Sequence, residues 1–269
     1  MSIAELVEDR VVEGIYAVKT KRKLRTRNGA AYLALELVDP TGAIEARVWN
    51  DVELLDGRFA EGDAVRVLGR VEKFRDRLQL DVRSLEAADV DPASLTPRTR
   101  RDPEEAAGFL EFLVAEIAHP GLSATVQAVL ADRDLAAFPA GDDHHSYAGG
   151  LMEHTVGVAT LCRETAQLHP RLRPDLVLAA GLVHDVGRTL ELGPGPAFAQ
   201  TDEGRLLGHV HLGLRLIEER AQGLAPAQLA ELLHCVAVHH DARAARTAEA
   251  AVLYHANQLD AIAATRRVD

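Results

Sequence analysis

Cysteine is scarce, with Cys162 and Cys235 the two in 269 residues, and both sit inside apolar-periodic segments. That excludes a disulfide framework as the source of stability and predicts reduced, buried thiols. Long apolar runs are missing too: nothing approaches the roughly 18 consecutive apolar residues of a membrane span. The first residues are charged rather than signal-like, so a cytoplasmic protein without a membrane partner is expected. Aromatic residues make up only 4% of the chain, with a single Trp. An excess of positive charge is also lacking, since the net charge is −11. The deficit is uneven. Residues 1–101 carry 18 basic and 18 acidic side chains, and the rest carry 12 against 23. An acidic C-terminal half disfavours non-specific nucleic-acid binding, so such a partner would have to be held by local basic groups or by metals.

A hydrophobic content of 47% supports packed cores and excludes a disordered chain. The pattern predicts an α+β multidomain protein. Its N-terminal domain, residues 1–90, reads as a five-stranded OB-like β-barrel. Val12–Lys19 alternates, Asn28-Gly29 marks a hairpin, and strands follow at 32–38, 44–49, 65–71 and 78–82. A short helix at 51–59 falls between the third and fourth strands, which is the OB order. A generic small barrel fits the same pattern. Residues 91–103 lose periodicity, contain three prolines and read as a linker. Residues 104–269 read as all-α, with helices expected at 104–119, 123–130, 151–169, 175–190, 204–220, 226–240 and 247–264.

Lys19, Lys21, Arg22, Lys23, Arg25 and Arg27 place six positive charges within nine residues. Tyr16, Tyr32, Trp49 and Phe74 lie on or beside the strands. Basic groups interleaved with rings suit a single-stranded nucleic-acid groove; a solvated hairpin with core aromatics is the plain alternative. Lys19, Lys21, Arg22, Lys23, Arg25, Tyr32, Trp49 and Phe74 are therefore the candidate strand-binding residues.

In the helical half, His184-Asp185 follows an apolar run and is costly to bury unless something coordinates it. His154, His209, His239, His240 and Asp260 stand on other predicted helices, spaced too far apart for a zinc finger, so tertiary packing would have to bring them together. The ordered set His154…His184-Asp185…Asp260 resembles the signature of the HD superfamily of metal-dependent phosphohydrolases. The segments Asp143–Thr155, Thr201–His209 and Leu253–Ala261 are similar to those of the YhaM-type bacterial 3′–5′ exoribonucleases, which also carry an N-terminal OB domain. The resemblance implies an enzyme that hydrolyses single-stranded RNA, with DNA as an alternative substrate, from the 3′ end through a metal-activated water. It implies two divalent ions, Mn²⁺ in the first place, with iron, cobalt or zinc compatible with the ligand types. Asp185 would bridge them, with His154, His184 and Asp260 on one and His209, His239 and His240 on the other. Asp185 and Arg188 would be catalytic, Arg188 standing where the family has Lys. His144 and His145 are candidates for phosphate contact or helix entry, and Glu203 for capping or for orienting a ligand histidine. His211 and His255 are expected off the site. Two alternatives remain open: a phosphohydrolase of nucleotides or cyclic nucleotides with the barrel as regulator, and a non-catalytic nucleic-acid-binding protein. Self-association is also left open.

Overall fold

The computed structural model describes residues 1–99, 101–141 and 144–265, so Asp143 and the last four positions lie outside the described residues. The chain divides into two compact units, residues 1–98 with 194–199, and residues 99–193 with the chain from 200 onward.

The first unit is a closed barrel in the strand order β1-β2-β3-β5-β4. The strands are β1 (Val11–Arg25), β2 (Ala31–Asp39), β3 (Gly42–Val48), β4 (Ala64–Phe74) and β5 (Arg77–Ala87), with α1 (Val52–Asp56) between β3 and β4. β3 and β5 pair in parallel, and the other neighbours are antiparallel. This is the OB arrangement. Period-2 alternation decides what faces in: Leu33, Leu35 and Leu37 of β2, and Ile44, Ala46 and Val48 of β3, are all buried. Each buried leucine contributes about 2 kcal/mol of apolar transfer free energy. β1 runs six residues past the expected end at Lys19, because a bulge between Val18 and Thr20 lets the strand bend and stay paired to β2. Within the expected linker, Pro92–Leu95 winds into a short 3-10 turn opened by the Asp91 carboxylate, which accepts from the N–H of Ala93 at 3.0 Å.

The second unit contains, among the described residues, α2 (Pro103–Ala115), α3 (Pro120–Leu130), α4 (Gly150–Leu168), α5 (Pro174–Val183), α6 (Arg188–Glu191), α7 (Asp202–Arg220), α8 (Pro226–Ala237) and α9 (Ala248–Thr265). α5 is the hub. Every residue from Leu176 to Val183 is buried, as expected of a helix that is apolar all round. Proline at its first position pre-sets the start. Asp175 accepts from the backbone N–H groups of Ala118 and His119, tying the end of the α2 segment to this start. Helix bounds differ from expectation: α2 ends at Ala115 rather than 119 and α3 begins at Pro120 rather than 123, and three further differences bear on the site. The helix expected at 175–190 stops at Val183 and resumes as the short α6. α7 kinks at Gly208, whose φ is 71°. α8 ends at Ala237, so His239 and His240 lie beyond its last turn.

Candidate metal centre and nucleic-acid face

Two helix ends present the central imidazoles by the same device. The last carbonyls of a helix have no partner within it. Past the end of α5, Nδ1 of His184 donates to the carbonyl of Gly181 at 2.8 Å; past the end of α8, Nδ1 of His239 donates to that of Val236 at 2.6 Å. Each carbonyl gains a donor, and each ring is left with a bare Nε2 pointing inward. Both side chains are fully buried. Asn257 of α9 donates to the His239 carbonyl at 3.3 Å and pins that loop. His154 of α4 is fixed likewise: its Nδ1 donates to Oδ2 of Asp260 at 2.7 Å, which also leaves Nε2 unprotonated.

Asp185 lies between these nitrogens. Its Oδ2 is 3.8 Å from Nε2 of both His154 and His184, and its Oδ1 is 3.4 Å from Nε2 of His209 and 3.3 Å from Nε2 of His239. The Nε2 atoms of His154 and His184 face each other at 3.2 Å, and those of His209 and His240 at 3.0 Å. On His154 and His184, whose Nδ1 atoms both donate elsewhere, unshared pairs that close repel unless a cation lies between them. Among the described residues, Oδ1 of Asp185 and Nε2 of His239 are buried without any hydrogen-bond partner, the condition expected of ligand atoms. The donor set of imidazoles around a two-oxygen carboxylate suits first-row divalent ions. Potential ligand atoms gather as Asp185, His209, His239 and His240, and as His154, His184 and Asp185.

Electrostatics agree with that use. Burial pushes His184 down to about 3, so its ring is neutral near pH 7. Burial, then His239, lowers His240 to about 4. Burial opposes ionisation of Asp185, but His184, His239 and the Arg188 guanidinium outweigh it and hold the carboxyl well below the usual range.

Several expectations are corrected. Asp260 does not stand beside His184 and Asp185. It sits on the far side of the His154 ring, grouped with His154 and His145. Gly157 permits that approach, since a Cβ there would be 2.2 Å from Oδ1 of Asp260. His145 is not free for phosphate: Nε2 meets Oδ2 of Asp260 at 3.0 Å and Nδ1 meets the Tyr147 hydroxyl at 3.0 Å. That hydroxyl donates to the buried Glu153 at 2.9 Å. His144 differs, because its Nε2 is buried and unpartnered beside the His154 ring. Glu203 pairs with Arg215 at 3.0 Å and orients no ligand. Glu191 instead holds His209 and Arg188, and the sequence reading missed it, although it follows Arg188 at the i+3 helical spacing. His211 and His255 are exposed.

On the barrel, alternation splits the basic run. Arg22 pairs across β2 with Ala34, which pairs with Arg47 of β3; all three lie on the outward row. Tyr32 and Trp49 stack at 4.8 Å, Trp49 is 46% exposed, and the Arg47 guanidinium stands 6.0 Å from the Tyr32 ring. Lys21 and Lys23 fall on the opposite row. Lys21 donates to the carbonyls of Asp56 and Phe59 and packs over the Phe59 ring, while Lys23 pairs with Glu53 and Asp56. Both are therefore corrected to anchors of α1 rather than strand contacts. Lys19 pairs with Glu36 at 3.2 Å, and Arg25 bonds the Gly29 carbonyl across its own hairpin. Phe74 is 58% exposed at the β4–β5 turn, and Tyr16 is fully buried.

A closed OB barrel together with an Asp-centred imidazole cluster between helix ends defines a two-module class, and the family comparisons agree. The HD domain matches residues 151–262 and the OB-fold nucleic acid binding domain matches residues 15–88. Among curated relatives, the 3′-5′ exoribonuclease YhaM of Geobacillus sp. (strain WCH70) is 28% identical over 91% of this chain and 80% of its own length. The YhaM of Halalkalibacterium halodurans is 29% identical over 85% and 74%. Among solved structures, the second OB-fold domain of replication protein A from Methanococcus maripaludis is 24% identical, covering 34% of this chain and 95% of that one with a TM-score of 0.28.

Proposed function

We propose that this protein is a metal-dependent 3′–5′ exonuclease that hydrolyses the phosphodiester bonds of single-stranded RNA in the cytoplasm. In this reading residues 1–90 bind the strand and residues 104–269 cut it. The observation that carries it is the set of bare Nε2 atoms and the unpartnered Asp185 oxygen, coupled in one chain to an outward row of stacked rings and arginines. The relatives' activity supports the same assignment. Two divalent ions, Mn²⁺ foremost, would be held by His154, His184, Asp185, His209, His239 and His240, and they would supply Lewis acidity and a nucleophile at neutral pH. Asp185 sets the charge that assembles the centre, with one oxygen toward each pair of imidazoles. Arg188, whose Nε is buried without a partner, offers a guanidinium to the scissile phosphate. His144 offers a second unpartnered nitrogen, beside the His154 ring. Asp260 fixes the protonation of His154, and His145 fixes Asp260.

On the barrel, Arg22, Arg47 and Tyr32 lie on β1–β3, Trp49 follows the end of β3, and Phe74 lies at the β4–β5 turn, the regions through which OB folds take oligonucleotides. Stacking is tolerant of sequence, so degradation of RNA of mixed sequence follows. The test is digestion of a 5′-labelled oligoribonucleotide with Mn²⁺ and with EDTA. A ladder that shortens with time only in the presence of the ion is expected. Hydrolysis confined to mononucleotides or cyclic nucleotides would replace the proposal with the phosphohydrolase reading, and strand binding without cleavage would replace it with the non-catalytic one.

A further inference from the structure

Arg188 and His209 reach the centre from α6 and α7, yet a single oxygen meets both. Oε2 of Glu191 lies 2.9 Å from Nη1 of Arg188 and 3.3 Å from Nδ1 of His209. Glu191 is 6% exposed. Its backbone is fixed from both sides: the N–H donates to the Gly187 carbonyl at 2.9 Å, and the carbonyl accepts from the Thr201 N–H at 2.9 Å and the Thr201 hydroxyl at 3.3 Å. α7 crosses this carbonyl closely, at Gly204, where a Cβ would stand 2.2 Å from it. The carboxylate is therefore placed by the close packing of α7 on the end of α6.

That placement has two consequences at the centre. Occupation of Nδ1 turns Nε2 of His209 toward Oδ1 of Asp185, 3.4 Å away. Retention of Nη1 by Glu191 leaves Nε of Arg188 4.0 Å from Oδ2 of Asp185, too far for a hydrogen bond. A guanidinium released from Glu191 would close that gap and occupy the carboxylate that ions need.

We propose that Glu191 is a positioning residue that orients His209 as a ligand and holds Arg188 off Asp185, linking ion binding to phosphate binding. It touches neither ion nor substrate. The inference rests on the reading of the centre as a two-ion site.

Mn²⁺ titration of the full chain by calorimetry, with ions counted after dialysis, tests it. Four proteins are compared: the parent, Glu191→Ala, Glu191→Gln, and Glu191→Ala with Arg188→Ala. Loss of an outer hydrogen-bond partner costs roughly 10- to 100-fold in metal affinity, and that fall is expected for Glu191→Ala. Glu191→Gln keeps an acceptor oxygen and should lose less. The double variant should regain part of the Mn²⁺ affinity, because no guanidinium competes for Asp185, without regaining turnover of a 5′-labelled oligoribonucleotide. A steric or purely structural role for Glu191 would give no such recovery. Parent-like Mn²⁺ binding by both single variants overturns the proposal, as does a double variant no better than Glu191→Ala. If the alanine form does not fold, Glu191→Gln with and without Arg188→Ala makes the same comparison. A parent that binds Mn²⁺ but leaves the oligonucleotide intact would sink the exonuclease reading alone, because the titration needs no substrate.

Discussion

His184 carries its proton on Nδ1, bound to the Gly181 carbonyl, and burial keeps the ring from accepting a second. Its folded value of about 3 lies below the ~6.5 of an unfolded histidine, so the unfolded chain takes up the proton first. The stability linked to His184 is complete above about pH 6.5 and falls toward pH 3 by at most about 1.4 kcal/mol per pH unit. In EDTA, urea melts of the parent between pH 7 and pH 4 should show this slope, and His184→Gln should flatten it; identical slopes would refute the assignment. At Asp185 the expectation concerns ions. Asparagine keeps the shape but loses the charge and one of the two anionic acceptors, so Asp185→Asn should bind no Mn²⁺ and hydrolyse nothing while remaining folded by circular dichroism. At Arg188 lysine restores a cation as a point charge without the planar fork. Arg188→Lys should retain more turnover than Arg188→Ala, for which a loss of about 100-fold is expected by analogy with removal of a transition-state donor.

The interruption between α5 and α6 is what makes the centre, and the sequence pattern hid it. Val186 and Leu190 continue the apolar period of α5, so a single helix over 175–190 was the natural reading. The chain instead turns at His184–Gly187 to bring Gly187 against α7, where a Cβ would meet the His209 carbonyl at 1.9 Å. Glycine here is a requirement of close approach, visible only once both elements are placed. Gly187→Ala must push α7 away and should cost about 1–3 kcal/mol or more, as overpacking does. Guanidinium melts should register the loss, and Mn²⁺ binding should weaken with it. The strands, by contrast, were legible in number, order and inward face, because alternation is local, although β1, β4 and β5 run past their expected ends. Alternation also explains the error on the basic run: consecutive charges on a strand point to opposite faces, so Lys21 and Lys23 turned to α1 while Arg22 faced outward. The ligand histidines were legible as residues. So was their grouping around Asp185, His154 with His184 and His209 with His239 and His240, whereas the placement of Asp260 behind His154 was not, since it depends on how α9 packs on α4 at Gly157. The entry to α5 belongs to the same scale. Glu249, 5% exposed, accepts from the N–H of Arg173 at 3.1 Å and from its Nε at 3.0 Å, tying α9 to the start of that helix. Glu249→Gln should cost about 2 kcal/mol, the scale of a hydrogen bond to a charged group, readable in the same melts.

Across the whole chain, charge and chemistry are divided between the modules. The neutral N-terminal stretch carries arginines and rings on one barrel face, while the acidic remainder holds the Asp185 cluster. Binding and cleavage should therefore separate under mutation. Trp49→Ala removes the exposed partner of the Tyr32 stack, and loss of base stacking costs about 1–3 kcal/mol per base. KM for a long oligoribonucleotide should rise accordingly, about 10-fold or more, with kcat for the same substrate little changed. A dinucleotide too short to engage the barrel should be cleaved by Trp49→Ala as by the parent. Arg22→Ala and Arg47→Ala should act through phosphate, each lowering the slope of log affinity against log salt by about 0.7 for a single strand. Lys21→Ala and Lys23→Ala provide the internal contrast. Their ammonium groups are committed to α1, so they should lower the barrel's melting temperature and leave the salt slope unchanged. A drop in slope for Lys21→Ala equal to that of Arg22→Ala would mean that the whole basic run reads the strand, contrary to the division the two faces of β1 impose.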